Sequence, residues 1–247
     1  MATRIDEISL STAGGSIAQK MDPASTMMEE TAPEELELVP TTYAQAFQIF
    51  FFSSHGTGPL LVSISLVIML ATRMMLLGPL SWMDAAVFMG SIVFWSIQEH
   101  FLHAQVLHSK VDWYGKQIHQ AHHDKPYFNI TIDPAPMMLI WMATAGALLR
   151  CLFPLPIAIS ATLGYAMAGL FYEWAHFIVH TKVRPGSAFM KQVRDNHMRH
   201  HQIDTKYWFA FSLPLVDDLF GTNPDVRQVV KQKRAAAKMA KTHTKQS

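Results

Sequence analysis

Apolar runs divide the chain into four stretches of membrane-spanning length, and polar segments separate them in pairs. Residues 60–77 carry one charge, Arg73, and meet the length of a transmembrane helix. Gly78-Pro79 stops that run. Asp84 is placed to cap the next one, and 85–102 are apolar again, with Trp82 as an interfacial aromatic. The link is too short for anything but a hairpin. A polar stretch, 110–128, follows. Pro134 and Pro136 lead into a second pair of runs, 137–153 and 157–174, joined by Pro154-Leu155-Pro156. The pattern therefore predicts an all-α integral membrane protein with four transmembrane helices in two hairpins. Ahead of them, 43–52 is amphipathic and aromatic, suited to the membrane interface. His55-Gly56-Thr57-Gly58-Pro59 breaks it, and His55 reads as structural. A helix over 188–201 is expected on the polar side.

Composition agrees. Half of the 247 residues are hydrophobic and 16% are charged, against roughly 25% in soluble domains. The single Cys151 excludes an internal disulfide and a cysteine-based zinc site, and reads as an inert buried thiol. Residues 1–42 form an acidic polar tail. The tail lacks the apolar core of a secretory signal and the basic character of a transit peptide, so disorder is expected. A domain over 43–223 and a basic tail over 224–247 complete the layout.

Ten of the thirteen histidines fall in tight groups. His103 and His108 lie near the end of the second run. His119, His122 and His123 follow in the polar stretch. His176 and His180 close the fourth run, and His197, His200 and His201 sit on the expected helix. Two of the groups share the pattern His-x-x-His-His. Residues at i, i+3 and i+4 share one helix face, so each triplet can aim three imidazoles at one point. Imidazole ligates first-row transition metals and is largely neutral near pH 7. Ten such nitrogens exceed the needs of one ion and suit two, with five each. An all-nitrogen set with open positions favours redox iron over closed structural zinc.

Glu99 lies one turn before His103, and a carboxylate near the end of a span needs a partner; His103 is the natural one, with Glu99 first a carboxylate that fixes its ring and second a metal ligand itself. His100 points about 100° from Glu99 on a helix and is left out of the site. Glu173 and Asp195 are the further candidates for orienting ligand rings. Tyr207-Trp208-Phe209-Ala210-Phe211 reads first as packing, second as an acyl-chain entrance or a surface that docks the domain on the membrane.

Two hairpins bring all ten histidines to one end of the bundle. That end carries Lys110, Lys116, Lys125, Lys182, Arg184, Lys191, Arg194, Arg199 and Lys206, whereas the two turns carry Arg73 and Arg150. The positive-inside rule makes the histidine side cytosolic, with both termini, and leaves the sequon Asn129-Ile130-Thr131 unused. The basic C-tail suits anionic lipid headgroups rather than nucleic acid. Its end, with His243 and Lys245, weakly resembles a dibasic endoplasmic-reticulum retrieval signal.

Glu99-x-x-x-His103-x-x-x-x-His108, then His119-x-x-His122-His123, then Tyr172-Glu173-x-x-His176-x-x-x-His180, then His197-x-x-His200-His201 resembles the histidine boxes of the fatty acid hydroxylase superfamily. Asp218-Leu219-Phe220-Gly221-Thr222 resembles its closing segment, while Trp208-Phe209-Ala210 stands where the family has a Phe-Gly-Val-like stretch. The resemblance covers about 85–223. It implies a membrane di-iron oxygenase acting on a lipid; the expected cofactor is two iron ions, with zinc the alternative in a purified or crystallised form. Fatty acyl or sphingolipid chains are the first substrate class; sterol oxidation or desaturation and carotenoid hydroxylation are the alternatives. It also implies two electrons per turnover from a separate donor such as cytochrome b5 or a ferredoxin, since about 42 polar residues leave no room for a fused donor domain. A metal transporter and a zinc-tied structural protein are the readings from other classes.

Overall fold

The computed structural model describes residues 39–124 and 132–244. Most of the acidic tail, the sequon and the end from Lys245 lie outside the described residues. Among those described there is no strand. Four helical segments are long and apolar enough to cross a membrane: Thr57–Leu76, Trp82–Leu107, Ala135–Leu152 and Leu155–Val179.

Helix α1 (Tyr43–Phe52) starts at Thr42, whose hydroxyl accepts from the Gln45 amide, and a short 3-10 turn leads into α2 (Thr57–Leu76). Helix α3 (Trp82–Phe101) opens on a capping box between Ser81 and Asp84. It does not end at Phe101. A π-helical stretch, Leu102–Leu107, continues it, and the His108 amide bonds the His103 carbonyl at 3.3 Å. Helix α4 (Tyr114–Asp124) carries the first triplet. Helices α5 (Ala135–Leu152) and α6 (Leu155–Val179) each have a proline in the first turn, where no amide partner is needed. Helix α7 (Ala188–Gln202) carries the second triplet from a Ser187 cap. Short α8 (Leu215–Phe220) ends at Gly221, whose φ of 69° suits glycine, and α9 (Val226–Thr244) is the basic helix.

Helix α6 is the centre of the bundle. Half of its most apolar window is buried, against 6–17% in the other three spans, and it packs on α2, α3 and α5. Its Ala158, Ala161, Gly164, Ala166 and Ala168 explain this, because small residues let backbones approach. A Cβ on Gly164 would run into the Phe88 carbonyl of α3. The outer faces of α2, α3 and α5 expose Val67, Ile68, Phe94, Ile140 and Leu148, as a lipid-facing surface requires.

At the hairpin end, Arg73 does not snorkel. It is 2% exposed and forks onto Asp84, with Nε–Oδ1 and Nη2–Oδ2 both 2.7 Å. Ser160 of α6 donates to the same carboxylate at 2.6 Å, so one buried ion pair joins α2, α3 and α6. Arg73 also donates to the Gly78 carbonyl in the turn. Asp84→Ala leaves the guanidinium buried without its counter-ion. We expect a loss of about 3–5 kcal/mol, read as a lowered thermal midpoint in detergent, with metal binding at the far end retained in the folded fraction. Cys151, expected to be buried, is exposed near the end of α5.

Candidate metal centre

All ten histidines of the boxes meet at the end of the bundle opposite Arg73, but not as two converging triplets. The i, i+4 members of each triplet stay together, and the i+3 member crosses to the other group. Donor nitrogens of His103, His108, His119, His123 and His200 gather in one cluster, and those of His122, His180, His197 and His201 in another. His176 joins the second through His122, Nε2 to Nε2 3.1 Å. The reason is angular. On a helix the i+3 side chain points about 60° to one side of residue i and the i+4 side chain about 40° to the other. His122 and His123 therefore diverge by about 100°, and so do His200 and His201.

His103 and His108 are five apart, which on an α-helix sets them about 140° apart. The π-helical stretch removes that divergence, because its wider turn brings residue i+5 back beneath residue i. The two rings lie 5.1 Å apart.

In the first cluster the Nε2 atoms of His108, His119, His123 and His200 close a four-membered circuit. Its edges are 3.0 Å (His108–His119), 3.0 Å (His119–His123), 3.2 Å (His123–His200) and 3.0 Å (His200–His108). Hydrogen bonds alone satisfy such a circuit poorly, since each nitrogen faces two others and offers one proton or one lone pair. Neighbouring nitrogens around one ion at about 2.1 Å and right angles stand about 3.0 Å apart, which is the spacing found. Two further facts fix the lone pairs. His200 Nδ1 donates to the Tyr207 carbonyl at 2.8 Å and His103 Nδ1 to the Phe209 carbonyl at 2.7 Å. A carbonyl only accepts, so each neutral ring turns a bare Nε2 inward. His103 Nε2 is buried with no hydrogen-bond partner.

The second cluster has its own short contacts, His180–His197 at 2.7 Å and His201–His197 at 2.9 Å. The Nδ1 atoms of His122, His197 and His201 are buried without hydrogen-bond partners, and aromatic rings pack against this cluster. Phe211 packs edge-on to His197 and His176, at 4.5 and 5.1 Å, and Tyr172 stacks on His176.

Burial keeps these imidazoles neutral. It pushes His122 down to about 3 and His123 down to about 4, and depresses His108, His119, His197, His200 and His201 as well. In most of them repulsion from neighbouring rings adds to the burial effect. Neutral rings with inward lone pairs are able to ligate metal. The residues present thus fit a pair of divalent ions in donor type, number and spacing.

The same shifts set a stability profile. The folded-state values lie below the ordinary ~6.5, so on acidification the unfolded chain takes up protons first. The metal-free protein therefore holds its full stability above about pH 6.5 and loses it as pH falls from there toward 4 and then 3. Denaturation midpoints at about pH 7.5 and about pH 5 should differ, the lower pH being less stable. Equal midpoints would mean that the rings are solvated.

The segment Tyr207–Phe211, read from sequence as packing, frames the first cluster. Its carbonyls hold His200 and His103, as described. Its amides are held in turn: Trp208 donates to the Thr222 carbonyl at 2.8 Å, Phe209 and Ala210 to Asp217 at 2.9 and 3.0 Å, and Phe211 to Glu99 at 2.6 Å. Ser212 adds its amide and hydroxyl to Glu99. Trp208 has φ 58°, a left-handed conformation unusual for a bulky side chain, where the segment turns into this frame. Phe209 lays its ring edge on His103.

Glu99 therefore does not bond His103. It anchors the segment whose Phe209 carbonyl does. Glu173 accepts from the Asp133 amide at 3.0 Å and ties the chain after α4 to α6. Asp195 is exposed on α7, two residues before His197. Asp217 is the residue that sequence reasoning passed over; it is fully buried and holds two amides and the Thr222 hydroxyl. His100 stays out of both clusters, bonded to Thr222 and stacked on Phe220. A cleft of about 590 Å³ opens beside the first cluster, with His108 in its wall.

Comparison with known proteins agrees with this geometry. The fatty acid hydroxylase family model matches residues 88–222, more than half of the chain and all ten clustered histidines. A fatty acid 2-hydroxylase from Macaca fascicularis is 26% identical over 152 residues, covering 57% of this chain and 40% of its own length. The chain thus spans less than half the length of that relative. The solved hydroxylase domain of Scs7p shares the fold at a TM-score of 0.54 and 16% identity, over 77% of this chain and 69% of that one. With four apolar spans, two imidazole clusters at one end of them and a family model matched across both, the chain belongs to the fatty acid hydroxylase family.

Proposed function

We propose that the protein is a membrane di-iron oxygenase that hydroxylates a C–H bond of a lipid, on a fatty acyl or sphingolipid chain, with O2 and two external electrons. The observation that carries this reading is the pair of neutral, all-imidazole clusters at one end of a membrane bundle. His103, His108, His119, His123 and His200 would hold one iron, and His122, His176, His180, His197 and His201 the other. Such a pair supplies O2 activation and C–H cleavage when bound. The protein's part is to fix ring orientation and keep water out. The Tyr207 and Phe209 carbonyls hold two ligand rings in the Nδ1–H tautomer. Phe209 and Phe211 shield the clusters with apolar surface, while Glu99 and Asp217 lock the segment that carries both rings.

Zinc is expected to take the same nitrogens in protein purified without iron. The electrons come from a separate donor such as cytochrome b5 or a ferredoxin, and nucleic acid is no partner. The excess of Lys and Arg at the histidine end favours a cytosolic site with both termini on that side, and the C-terminal sequence favours the endoplasmic reticulum. The layout is an acidic tail over 1–42, a catalytic membrane domain over 43–223 and a basic tail over 224–247. The named 2-hydroxylase relative supports acyl chains over sterols and carotenoids, which the histidine boxes alone do not separate.

Transport is the reading from another class. Transporters place their site near the mid-plane, often between broken helices. Here the clusters sit where spans α3 and α6 end, which argues against transit. The test uses the full chain in nanodiscs, iron-loaded, with a chemical or protein reductant and a lipid extract. The expected result is a lipid that gains 16 mass units only when O2 and reductant are both present. Metal flux across liposomes with no O2-dependent product would overturn the proposal.

A further inference from the structure

We infer that α8 and α9 dock this end of the protein on the surface of its own bilayer, and that a stripe of five cations on α9 binds anionic phospholipid headgroups. Arg227, Lys231, Arg234, Lys238 and Lys241 recur at alternating steps of four and three residues. At about 100° per residue, those steps keep all five within an arc of about 80°, along about 21 Å of helix. No acidic residue lies in α9. The five side chains are exposed, and among the described residues none of them meets a carboxylate. Lys233 is the cation that does: it pairs with Asp204 at 3.2 Å and donates to the Ile203 carbonyl. It lies off the stripe, on the same side of the helix as the buried Val229. The helix thus roots itself on the protein through one face and turns the five cations away from it.

What faces the stripe follows from where α9 starts. Thr222, four residues before it, bonds His100 at 2.9 Å, and Phe220 stacks on the same ring at 4.7 Å. His100 lies about two turns inside the end of the span Trp82–Leu107. Residues 220–222 therefore stand at the level of the last turns of a membrane helix, and four residues carry the chain at most about 14 Å from there to Val226. The polar layer outside the hydrocarbon is about 5–8 Å deep, so α9 begins within reach of the headgroups. Helix α8 marks the same level independently. Leu215, Leu219 and Phe220 are exposed on it, an apolar edge that water disfavours and the membrane interface accepts. An apolar edge followed by a basic stripe is the order of a segment that lies on a membrane. The outer turns of α9 offer little apolar surface besides alanine and Met239, so charge has to hold them. That selects anionic heads over zwitterionic ones. These lipids are the bilayer's own, and the inference does not depend on the oxygenase reading.

Hydrogen–deuterium exchange over residues 231–242 reads the docking in the full-length, metal-loaded protein. The nanodiscs hold either phosphatidylcholine alone or phosphatidylcholine with phosphatidylserine. We expect exchange at least about tenfold slower with phosphatidylserine, and loss of that protection at about 1 M salt, where screening acts over about 3 Å. Arg227→Gln, Lys231→Gln, Arg234→Gln, Lys238→Gln and Lys241→Gln together keep helix propensity and remove the protection. Arg227→Lys with Arg234→Lys keeps it, since the headgroups respond to charge. Leu215→Ser with Leu219→Ser lowers it. Metal content of each variant is measured alongside and reports folding. Equal exchange in the two lipid mixtures, or protection that survives the five glutamine substitutions in normally metallated protein, overturns the inference. So does protection that appears only when an acidic soluble protein such as cytochrome b5 is added, which assigns the stripe to that partner. Each of these outcomes leaves the oxygenase proposal standing, because product formation tests that separately.

Discussion

Replacing His200 by alanine should take the protein from two metal ions per chain toward one, and lower turnover by at least about 100-fold. His200 is fully buried, and its Nε2 stands 3.0 Å from that of His108 and 3.2 Å from that of His123. Its loss opens the circuit of the first cluster and strands the Tyr207 carbonyl, which now accepts from Nδ1. The second cluster shares none of these contacts and should keep its ion. Elemental analysis of the purified variant, with product formation measured in parallel, checks both parts. His100→Ala is the control: the ring lies outside both clusters, and both ions should stay. Full activity with two ions in His200→Ala would mean that the second triplet has been misassigned.

Asp217→Ala should cost as much stability as Asp84→Ala and, unlike it, should also weaken metal binding. Burial pushes this carboxyl up to about 6, so at pH 7 it is mostly the carboxylate. It accepts from the Phe209 and Ala210 amides and from the Thr222 hydroxyl. Alanine leaves those buried donors unpaired, at about 1–3 kcal/mol each, and we expect a total near 3–5 kcal/mol after relaxation. The functional effect travels one bond further. The Phe209 carbonyl holds His103, so loosening the segment should weaken the first ion's binding by about 10–100-fold. Chelator competition on the folded variant reads that loss. A destabilised variant with unchanged metal affinity would show that the segment is support only.

Much of the architecture is written in the order of apolar and polar residues. Four spans follow from run length and punctuation, and two hairpins force the second and fourth to end on one side. The ten histidines were legible as a group for the same reason. Their division was not, because a shared helix face is wide: at i+3 and i+4 two side chains diverge by about 100°, enough to reach different ions. Five-residue spacing between His103 and His108 carried no α-helical meaning, and the π-helical stretch that gives it one depends on packing. Asp217 and the true partners of Glu99 were hidden for another reason. They bind backbone amides of the Tyr207–Phe211 segment and its neighbour Ser212, and an amide leaves no trace in a sequence. Glu99 sits one turn from His103, yet its carboxylate reaches across more than one hundred positions to Phe211.

The most direct test is anomalous scattering from crystals of the iron-loaded full chain, with data collected on both sides of the iron edge. Two peaks are predicted, one among His103, His108, His119, His123 and His200, the other among His122, His176, His180, His197 and His201. One peak, or iron bound away from these rings, would contradict the account.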